Sequence, residues 1–152
     1  HIPAEGGDYF ALIDGALVAY NPGICAYVEV RGLYPDAKEL LLVSLGTGQL
    51  TRRLAYDDVK DWGAARWAQP IFSIMCDSSA VAVDHQLEQI LPRGPHGLRR
   101  YYRFQVRLDT GNDDMDDASL TNIRNIRQLG EDMVEKRKAE LEALAEQLTA
   151  GR

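Results

Sequence analysis

The sequence contains two cysteines and no long apolar run, which argues against several classes of protein. Cys25 and Cys76 lack C-x-x-C spacing, so neither a disulfide framework nor a metal site is indicated. Each lies in an apolar helical segment, and we expect both to be buried free thiols. No apolar stretch approaches the ~20 residues that cross a bilayer. No secretory signal is visible, so a cytoplasmic protein is expected, although the first residue is His1 rather than methionine.

Basic residues are also few. Lysine and arginine total 17 against 23 aspartates and glutamates, which gives a net charge of -6. Binding to nucleic-acid phosphates needs a basic surface, so no nucleic-acid partner is expected. Four arginines around a predicted strand are interpreted as solvated positions: Arg99, Arg100, Arg103 and Arg107. With 45% apolar and 26% charged residues among 152, the chain is typical of one soluble globular domain.

Motifs that hold a nucleophile, a phosphate or a metal are missing too. No serine has the flanking glycines of a G-x-S-x-G turn; the serines are Ser44, Ser73, Ser78, Ser79 and Ser119. Gly46-Thr47-Gly48 follows an apolar run, but no Lys-Ser/Thr comes after it, which favours a tight turn over a phosphate site. The acidic stretch 109–117 lacks the turn glycine and distal glutamate of a helix-loop-helix calcium site, so we favour stabilisation of the next helix by its charge. We expect no cofactor and no metal.

The stretch from Tyr9 to Pro22, YFALIDGALVAYNP, carries the strongest local pattern. Its first five residues are continuously apolar, which predicts a strand buried on both faces of a parallel sheet. Asp14 then lies at the carboxyl end of that strand, where ligands and catalytic groups of open α/β sheets collect. Gly15 would let the backbone turn sharply beside the carboxylate. Asn21 and Pro22 predict an N-cap and a first helical position.

The remaining pattern alternates helices and strands and predicts an α/β fold. A helix should follow Pro22 and stop near Gly32, and residues 40–45 should form a second buried parallel strand. Asp57 or Asp58 should cap a short helix that ends before Pro70, and a second helix should run from there to about Leu91. Residues 101–108 alternate and predict a strand with one wet side, and 119–148 should be helical with Gly130 as a break.

The D-G-A of residues 14–16, the Asn-Pro of 21–22 and the apolar strand ending in Ser44-Leu45-Gly46-Thr47-Gly48 together resemble the C-terminal half of patatin-like phospholipases. The resemblance runs through most of the chain, to the helical region that begins near Ser119. It implies a three-layer α/β/α fold with a mainly parallel sheet. It also implies that Asp14 is the partner of a catalytic serine, that Gly15 and Ala16 complete its motif, and that Asn21 and Pro22 match the family's Asn-Pro.

The same resemblance implies that an essential half lies outside this sequence. Residues 1–152 are expected to be the C-terminal portion of a single domain, because three predicted strands leave apolar faces uncovered. The absent N-terminal half would supply the nucleophile and the oxyanion loop. The intact protein would then hydrolyse lipid acyl esters, as a phospholipase A or lysophospholipase does, with transient membrane-surface contact. The isolated chain would be inactive.

Two alternatives remain open at this stage. The order of acid and then histidine, Asp14 followed by His85 or His96, also fits a Ser-His-Asp esterase of the α/β-hydrolase type. A helical histidine flanked by Asp84 and Gln86 is, however, typical of a surface residue. The other alternative is a non-catalytic module that binds a nucleotide or a protein through residues 46–48 and the C-terminal helix.

Overall fold

The computed structural model describes residues 2–3, 9–49, 54–112 and 116–150. In chain order the elements are β1 (Ile2–Pro3), β2 (Tyr9–Phe10), a 3₁₀ helix (Gly15–Leu17), α1 (Gly23–Leu33), β3 (Leu42–Leu45), α2 (Tyr56–Val59), α3 (Ala64–Ile90), a second 3₁₀ helix (Pro95–Gly97), β4 (Tyr101–Phe104), α4 (Leu120–Lys136) and α5 (Lys138–Ala150). The chain divides into two compact units. The first unit contains residues 1–42 and 61–102, and the second contains residues 43–60 and 103–152.

The predicted buried parallel strand over residues 9–13 is wrong. β2 ends at Phe10 and pairs antiparallel with β1, with Ile2 opposite Phe10 and Pro3 opposite Tyr9. Leu12 and Ile13 follow β2 outside any strand, with 65% and 79% of their surface exposed. The apolar run therefore finds no further strand to pack against within the described part of the chain.

β3 and β4 form the parallel pair of the described chain. Leu42 N donates to Arg100 O at 2.9 Å and Gly46 N to Phe104 O at 2.8 Å, so both strands advance in the same direction. This confirms parallel pairing of the second apolar run and is compatible with the predicted α/β class. The expected burial of β3 on both faces is wrong, because Val43 and Leu45 are exposed.

β4 is shorter than predicted and lies deeper. It ends at Phe104 instead of Leu108, and a single parallel bridge joins Gln49 to Arg107 further along. Tyr101, expected on the wet side, is 5% exposed. The solvated positions predicted for the arginines are also wrong for Arg99, Arg100 and Arg103, which are partly buried, whereas Arg107 is exposed.

The core of the first unit lies between α1 and α3. Leu87 is completely buried and packs with Leu91 and Tyr101, and five partly buried residues surround them: Ile24, Tyr27, Leu40, Leu42 and Val83. α1 confirms the predicted helix after Pro22. A Cβ on Gly23 would come within 2.7 Å of Leu87 Cδ1, so the start of α1 approaches α3 more closely than a larger residue would allow.

α3 continues through the proline predicted to separate two helices. Pro70 lies inside this 27-residue helix, where it removes one backbone hydrogen bond, to the carbonyl of Arg66. The many other bonds of a long, packed helix sustain it. The short helix before it is α2, which is capped by Ala55 without a side-chain bond; Asp57 and Asp58 lie in its first turn instead.

Trp62 and Trp67 pack against each other. Their ring centroids are 5.3 Å apart in an edge-to-face arrangement, and the Arg66 guanidinium lies 4.7 Å from the Trp62 ring centroid. The two cysteines are free, but only Cys76 is buried; Cys25 is exposed, contrary to expectation.

In the second unit the C-terminal helical region breaks at Arg137 and not at the predicted Gly130. Arg137 caps α4 with φ -106° and ψ 15°, and its guanidinium forms an ion pair with Glu140 in the first turn of α5. The same guanidinium lies 5.0 Å from the ring centroid of Phe104. These contacts stabilise the bend at Arg137 between α4 and α5, whereas the helix continues through Gly130. Ser119 caps α4 and accepts a hydrogen bond from Asn122 N at 3.2 Å.

Candidate functional site

Asp14 caps the first 3₁₀ helix. Its backbone is extended, with φ -60° and ψ 126°, and its Oδ1 accepts a hydrogen bond from Ala16 N at 2.8 Å. The residue is exposed. Among the described residues the carboxylate has no other hydrogen-bond partner, so Oδ2 is available to a group from outside the described chain. One oxygen is thus oriented by the backbone while the other can accept a proton.

The turn after Asp14 is made by 3₁₀ hydrogen bonds and not by the conformational freedom of glycine. Val18 N and Ala19 N donate to Gly15 O at 3.0 and 2.9 Å. The described glycines with positive φ are Gly48 and Gly97, so the predicted use of Gly15 for a sharp turn is not observed. A Cβ on Gly15 would meet nothing within 4 Å, and the backbone there faces open space.

Asn21 has a different role from the one predicted. The N-cap of α1 is Pro22, and Pro22 is therefore not the first helical residue. Asn21 is 2% exposed, its Oδ1 accepts from Gly23 N at 3.1 Å, and its Nδ2 donates to Ala80 O at 3.4 Å. This side chain therefore ties the segment that follows Asp14 to α3, a long-range contact for which the sequence carries no signal.

The described histidine and serine side chains make no hydrogen bond to Asp14. His85 is exposed on α3, and the side chain of His96 lies outside the described part of the structure. Ser44 accepts a hydrogen bond from Arg103 Nη1 at 2.8 Å, and Ser79 donates to Cys76 O at 3.2 Å.

Gly46 and Gly48 pack against side chains of the neighbouring strand segment. Gly48 N donates to Gln105 Oε1 at 3.0 Å, and Gly48 has φ 131°, which favours glycine. A Cβ on Gly46 would collide with the Gln105 side chain, and one on Gly48 would lie 2.7 Å from Leu108 Cγ. The space a phosphate would need is thus occupied by protein, in agreement with the predicted strand-end turn.

The acidic stretch 109–117 is partly outside the description, which omits residues 113–115. Asp117 Oδ1 accepts from Ser119 N at 3.0 Å and Oδ2 from Asn112 Nδ2 at 3.2 Å. These donors, the Ser119 backbone first, lower the pKa of the Asp117 carboxyl below its ordinary value of 3.8. Asn122, 5% exposed, donates to Asn112 O and Asp117 O. This loop is held by its own hydrogen bonds at the start of α4.

The described residues hold neither a cluster of metal-binding side chains nor a membrane-crossing helix. No group of three histidine, cysteine, aspartate or glutamate side chains there could hold a metal ion. None of the described helices is both long and apolar enough to cross a membrane.

No protein-family model matches the chain, but curated patatins do. Patatin-like protein 8 of Arabidopsis thaliana is 30% identical over 147 residues, which cover 90% of this chain and 28% of that protein. A patatin of Solanum tuberosum is 28% identical over 152 residues, with 88% and 39% covered. Probable inactive patatin-3-Kuras 1 of the same species is 26% identical over 155 residues, with 90% and 41% covered.

In all three alignments the covered share is large for this chain and small for the relative. They cover nearly all of this chain, which spans between 28% and 41% of the length of these relatives. Identity of 26 to 30% over that extent supports a relation to the patatin-like family.

Proposed function

We propose that this chain is part of a patatin-like lipid acyl hydrolase and supplies the acid of a Ser-Asp dyad through Asp14. The observation that carries the proposal is the exposed Asp14 carboxylate, with one oxygen bound to Ala16 N at 2.8 Å, in a chain similar to patatins over 90% of its length. The relatives suggest membership of a lipid acyl hydrolase family. The substrate would be a lipid or other acyl ester, reached by transient contact with a membrane surface.

In this mechanism the serine comes from the N-terminal half of the same domain. Its oxygen attacks the ester carbonyl, Asp14 takes the serine proton, and the proton passes to the leaving alcohol. Water then attacks the acyl-enzyme and restores the serine. A carboxylate is a weak base, so the proton moves in concert with the attack and the charge on the carbonyl oxygen needs an oxyanion hole. The chief contribution of this chain is positioning, which the Asp14–Ala16 hydrogen bond supports.

Uncovered apolar side chains support the proposal that further structure completes the domain. In the first unit, Ile13 and Val18 are 79% and 88% exposed. In the second unit, Leu45 on β3 is 75% exposed. An N-terminal half that adds parallel strands and covering helices would bury such residues and produce the three-layer α/β/α arrangement.

The decisive experiment is ester hydrolysis by the complete domain, with this chain joined to the upstream half of its parent protein. Asp14→Asn should lower kcat by about 10³-fold or more, because the amide cannot accept the serine proton. The matched control is Asp36→Asn, at an exposed loop aspartate, which should leave kcat unchanged. Turnover by the Asp14→Asn domain at the original rate would refute the proposal.

The rival functions give different results in the same assay. The Ser-His-Asp alternative requires His85→Ala or His96→Ala to abolish turnover, whereas the dyad leaves kcat nearly unchanged in both variants. Because one relative is described as a probable inactive patatin, activity has to be measured directly. A complete domain that binds a nucleotide or a protein through residues 46–48 and the C-terminal helix, and hydrolyses no acyl ester, would favour the non-catalytic module.

A further inference from the structure

An arginine-lined cleft lies in the first unit, where α3 ends and the chain returns to β4. It has a volume of about 170 Å³, and its walls include Arg93, Arg99, Arg100, Tyr101 and Glu88. Three arginines and one glutamate thus line this cleft, in a chain whose net charge is -6. A local excess of positive charge in an acidic protein favours anions at this cleft over the rest of the surface.

The loop between α3 and β4, which carries these arginines, is held by hydrogen bonds between its own residues. Gly94 N donates to Leu98 O at 2.9 Å, and Arg93 Nη1 donates to Gly97 O at 2.9 Å. Gly97 has φ 76°, a conformation that favours glycine. The loop is therefore ordered around the cleft before any ligand arrives, which lowers the entropic cost of binding.

Arg100 has unused hydrogen-bonding capacity in this setting. Its Nε is buried and has no hydrogen-bond partner among the described residues, and its Nη2 donates to Lys38 O at 3.5 Å. Its aliphatic part rests against Gly94, where a Cβ would lie 3.2 Å from Arg100 Cδ. Because the buried Nε cannot be reached from the cleft, an anionic acceptor there would pair with the terminal nitrogens of the Arg100 guanidinium.

We propose that this cleft binds a phosphate group, carried either by a lipid headgroup or by a soluble phosphate. Guanidinium groups bind phosphate through paired N–H···O bonds, and a phosphomonoester offers three oxygens and a charge of about -1.5 to -2. The Arg99 guanidinium lies 5.2 Å from the Tyr102 ring centroid, so Arg93 and Arg100 are the donors assigned to the phosphate. The larger charge and number of oxygens of a phosphate suit a cleft lined by several arginines better than a carboxylate does. The site is independent of Asp14, so phosphate binding is expected whether or not the complete domain hydrolyses esters.

The first test is calorimetric titration of the 152-residue chain with inorganic phosphate at neutral pH and low salt. Arg93→Gln and Arg100→Gln should each weaken binding about tenfold or more, since each removes a charged donor. Arg124→Gln, at an exposed arginine of α4, is the matched control and should bind like the original chain. Circular dichroism confirms that each variant is folded, and Arg93 is exposed, so this variant remains informative if Arg100→Gln unfolds.

Glu88→Gln provides a test in the opposite direction, which unfolding could not imitate. Removing the one carboxylate of the cleft should tighten phosphate binding about twofold or more, whereas Glu142→Gln on α5 should have no effect. Acetate at equal ionic strength should not displace phosphate. Absence of saturable phosphate binding, equal affinity in the arginine variants, or equal competition by acetate would each overturn the proposal.

Vesicles distinguish the two sources of phosphate. If the natural ligand is a lipid headgroup, the chain should sediment with phosphatidylcholine vesicles that contain phosphatidic acid, and both inorganic phosphate and Arg93→Gln should release it. If the ligand is soluble, the chain should bind inorganic phosphate and should not sediment with those vesicles or with vesicles of pure phosphatidylcholine. Sedimentation that Arg93→Gln and phosphate leave unchanged would contradict a headgroup site.

Discussion

The hydroxyl of Tyr101 donates a hydrogen bond of 2.6 Å to Asp84 Oδ1, which joins the first residue of β4 to the C-terminal part of α3. The Tyr101 ring packs in the core beside Leu87 and Leu91. A single side chain therefore supplies both apolar burial and a charged hydrogen bond to the first unit. The hydrogen bond therefore holds the first residue of β4 in place beside α3.

Tyr101→Phe should lower the free energy of unfolding by about 1.5 kcal/mol, because the ring stays buried while Asp84 loses a donor. Urea denaturation monitored by circular dichroism measures the change. Tyr56→Phe is the control, since Tyr56 is 78% exposed, and it should shift the midpoint little. Equal stability of Tyr101→Phe and the original chain would mean that water replaces the hydroxyl.

The close approach of Gly23 to Leu87 predicts non-additive stabilities. Leu87→Ala should cost about 2–5 kcal/mol by leaving a cavity. Gly23→Ala should cost about 1–3 kcal/mol, because its Cβ would lie 2.7 Å from Leu87 Cδ1. In the double variant the new methyl group enters the space that Leu87 vacates. The double variant should therefore be more stable than the two single losses imply, by about 1 kcal/mol.

Urea denaturation of the original chain, the two single variants and the double variant gives the four stabilities of this double-mutant cycle. Gly32→Ala is the control for the glycine substitution, since a Cβ at Gly32 would meet nothing within 4 Å. Strictly additive losses would show that α1 shifts away from α3 instead of clashing with it.

Features with a local cause could be predicted from the sequence. α1 follows Pro22, α4 begins at the Ser119 cap, and the apolar run that ends at Leu45 forms a parallel strand. The two helix starts depend on a capping serine and on the fixed φ of proline, which act over a few residues. The continuous apolar pattern predicted parallel pairing correctly for the run that ends at Leu45 but not for residues 9–13, where β2 pairs antiparallel with β1.

Features decided by distant contacts could not be predicted. Pro70 was expected to end a helix, yet α3 packs against α1 and continues through it. Gly130 was expected to break the last helix, but the break is at Arg137, which contacts Glu140 and Phe104. In both cases packing outweighs intrinsic propensity.

The candidate site shows the same division. That Asp14 begins a turn was evident from the Asp-Gly pair, because aspartate side chains bond to nearby backbone N–H groups. The burial of Asn21 and its bond to Ala80 on α3 depend on a helix nearly 60 positions away. The solvated interpretation failed for Arg99 because its guanidinium lies over the Tyr102 ring, and for Arg100 because its side chain lies beside Gly94 and donates to Lys38 O.

Asp117 predicts a dependence of stability on pH. Its pKa is lowered by donors that bind the ionised carboxyl, so its contribution to stability is complete above the ordinary value of 3.8. That contribution disappears as pH falls through 3.8 and then through the lowered folded pKa. Asp117→Asn should therefore lower stability near neutral pH and reduce the loss of stability on acidification.

Urea midpoints measured at about pH 6 and about pH 2.5 test this linkage. Asp36→Asn, at an exposed loop residue, is the control. If Asp117→Asn lost as much stability between the two pH values as the original chain, the hydrogen bonds from Ser119 and Asn112 would not be stabilising the ionised form.

Gly15→Ala should affect the stability of the fold and the kcat of the proposed reaction differently. A Cβ at Gly15 would meet nothing within 4 Å and φ is not positive, so the isolated chain should keep its stability or gain about 0.4–1 kcal/mol.

In the complete domain that Cβ would lie beside Asp14, where the serine and the ester have to approach. We expect kcat to fall about tenfold or more, since small misplacements of reacting groups are costly. Gly63→Ala, which also meets nothing within 4 Å, should leave kcat unchanged. Undiminished kcat in Gly15→Ala would mean that the serine does not approach Asp14 from the side of Gly15.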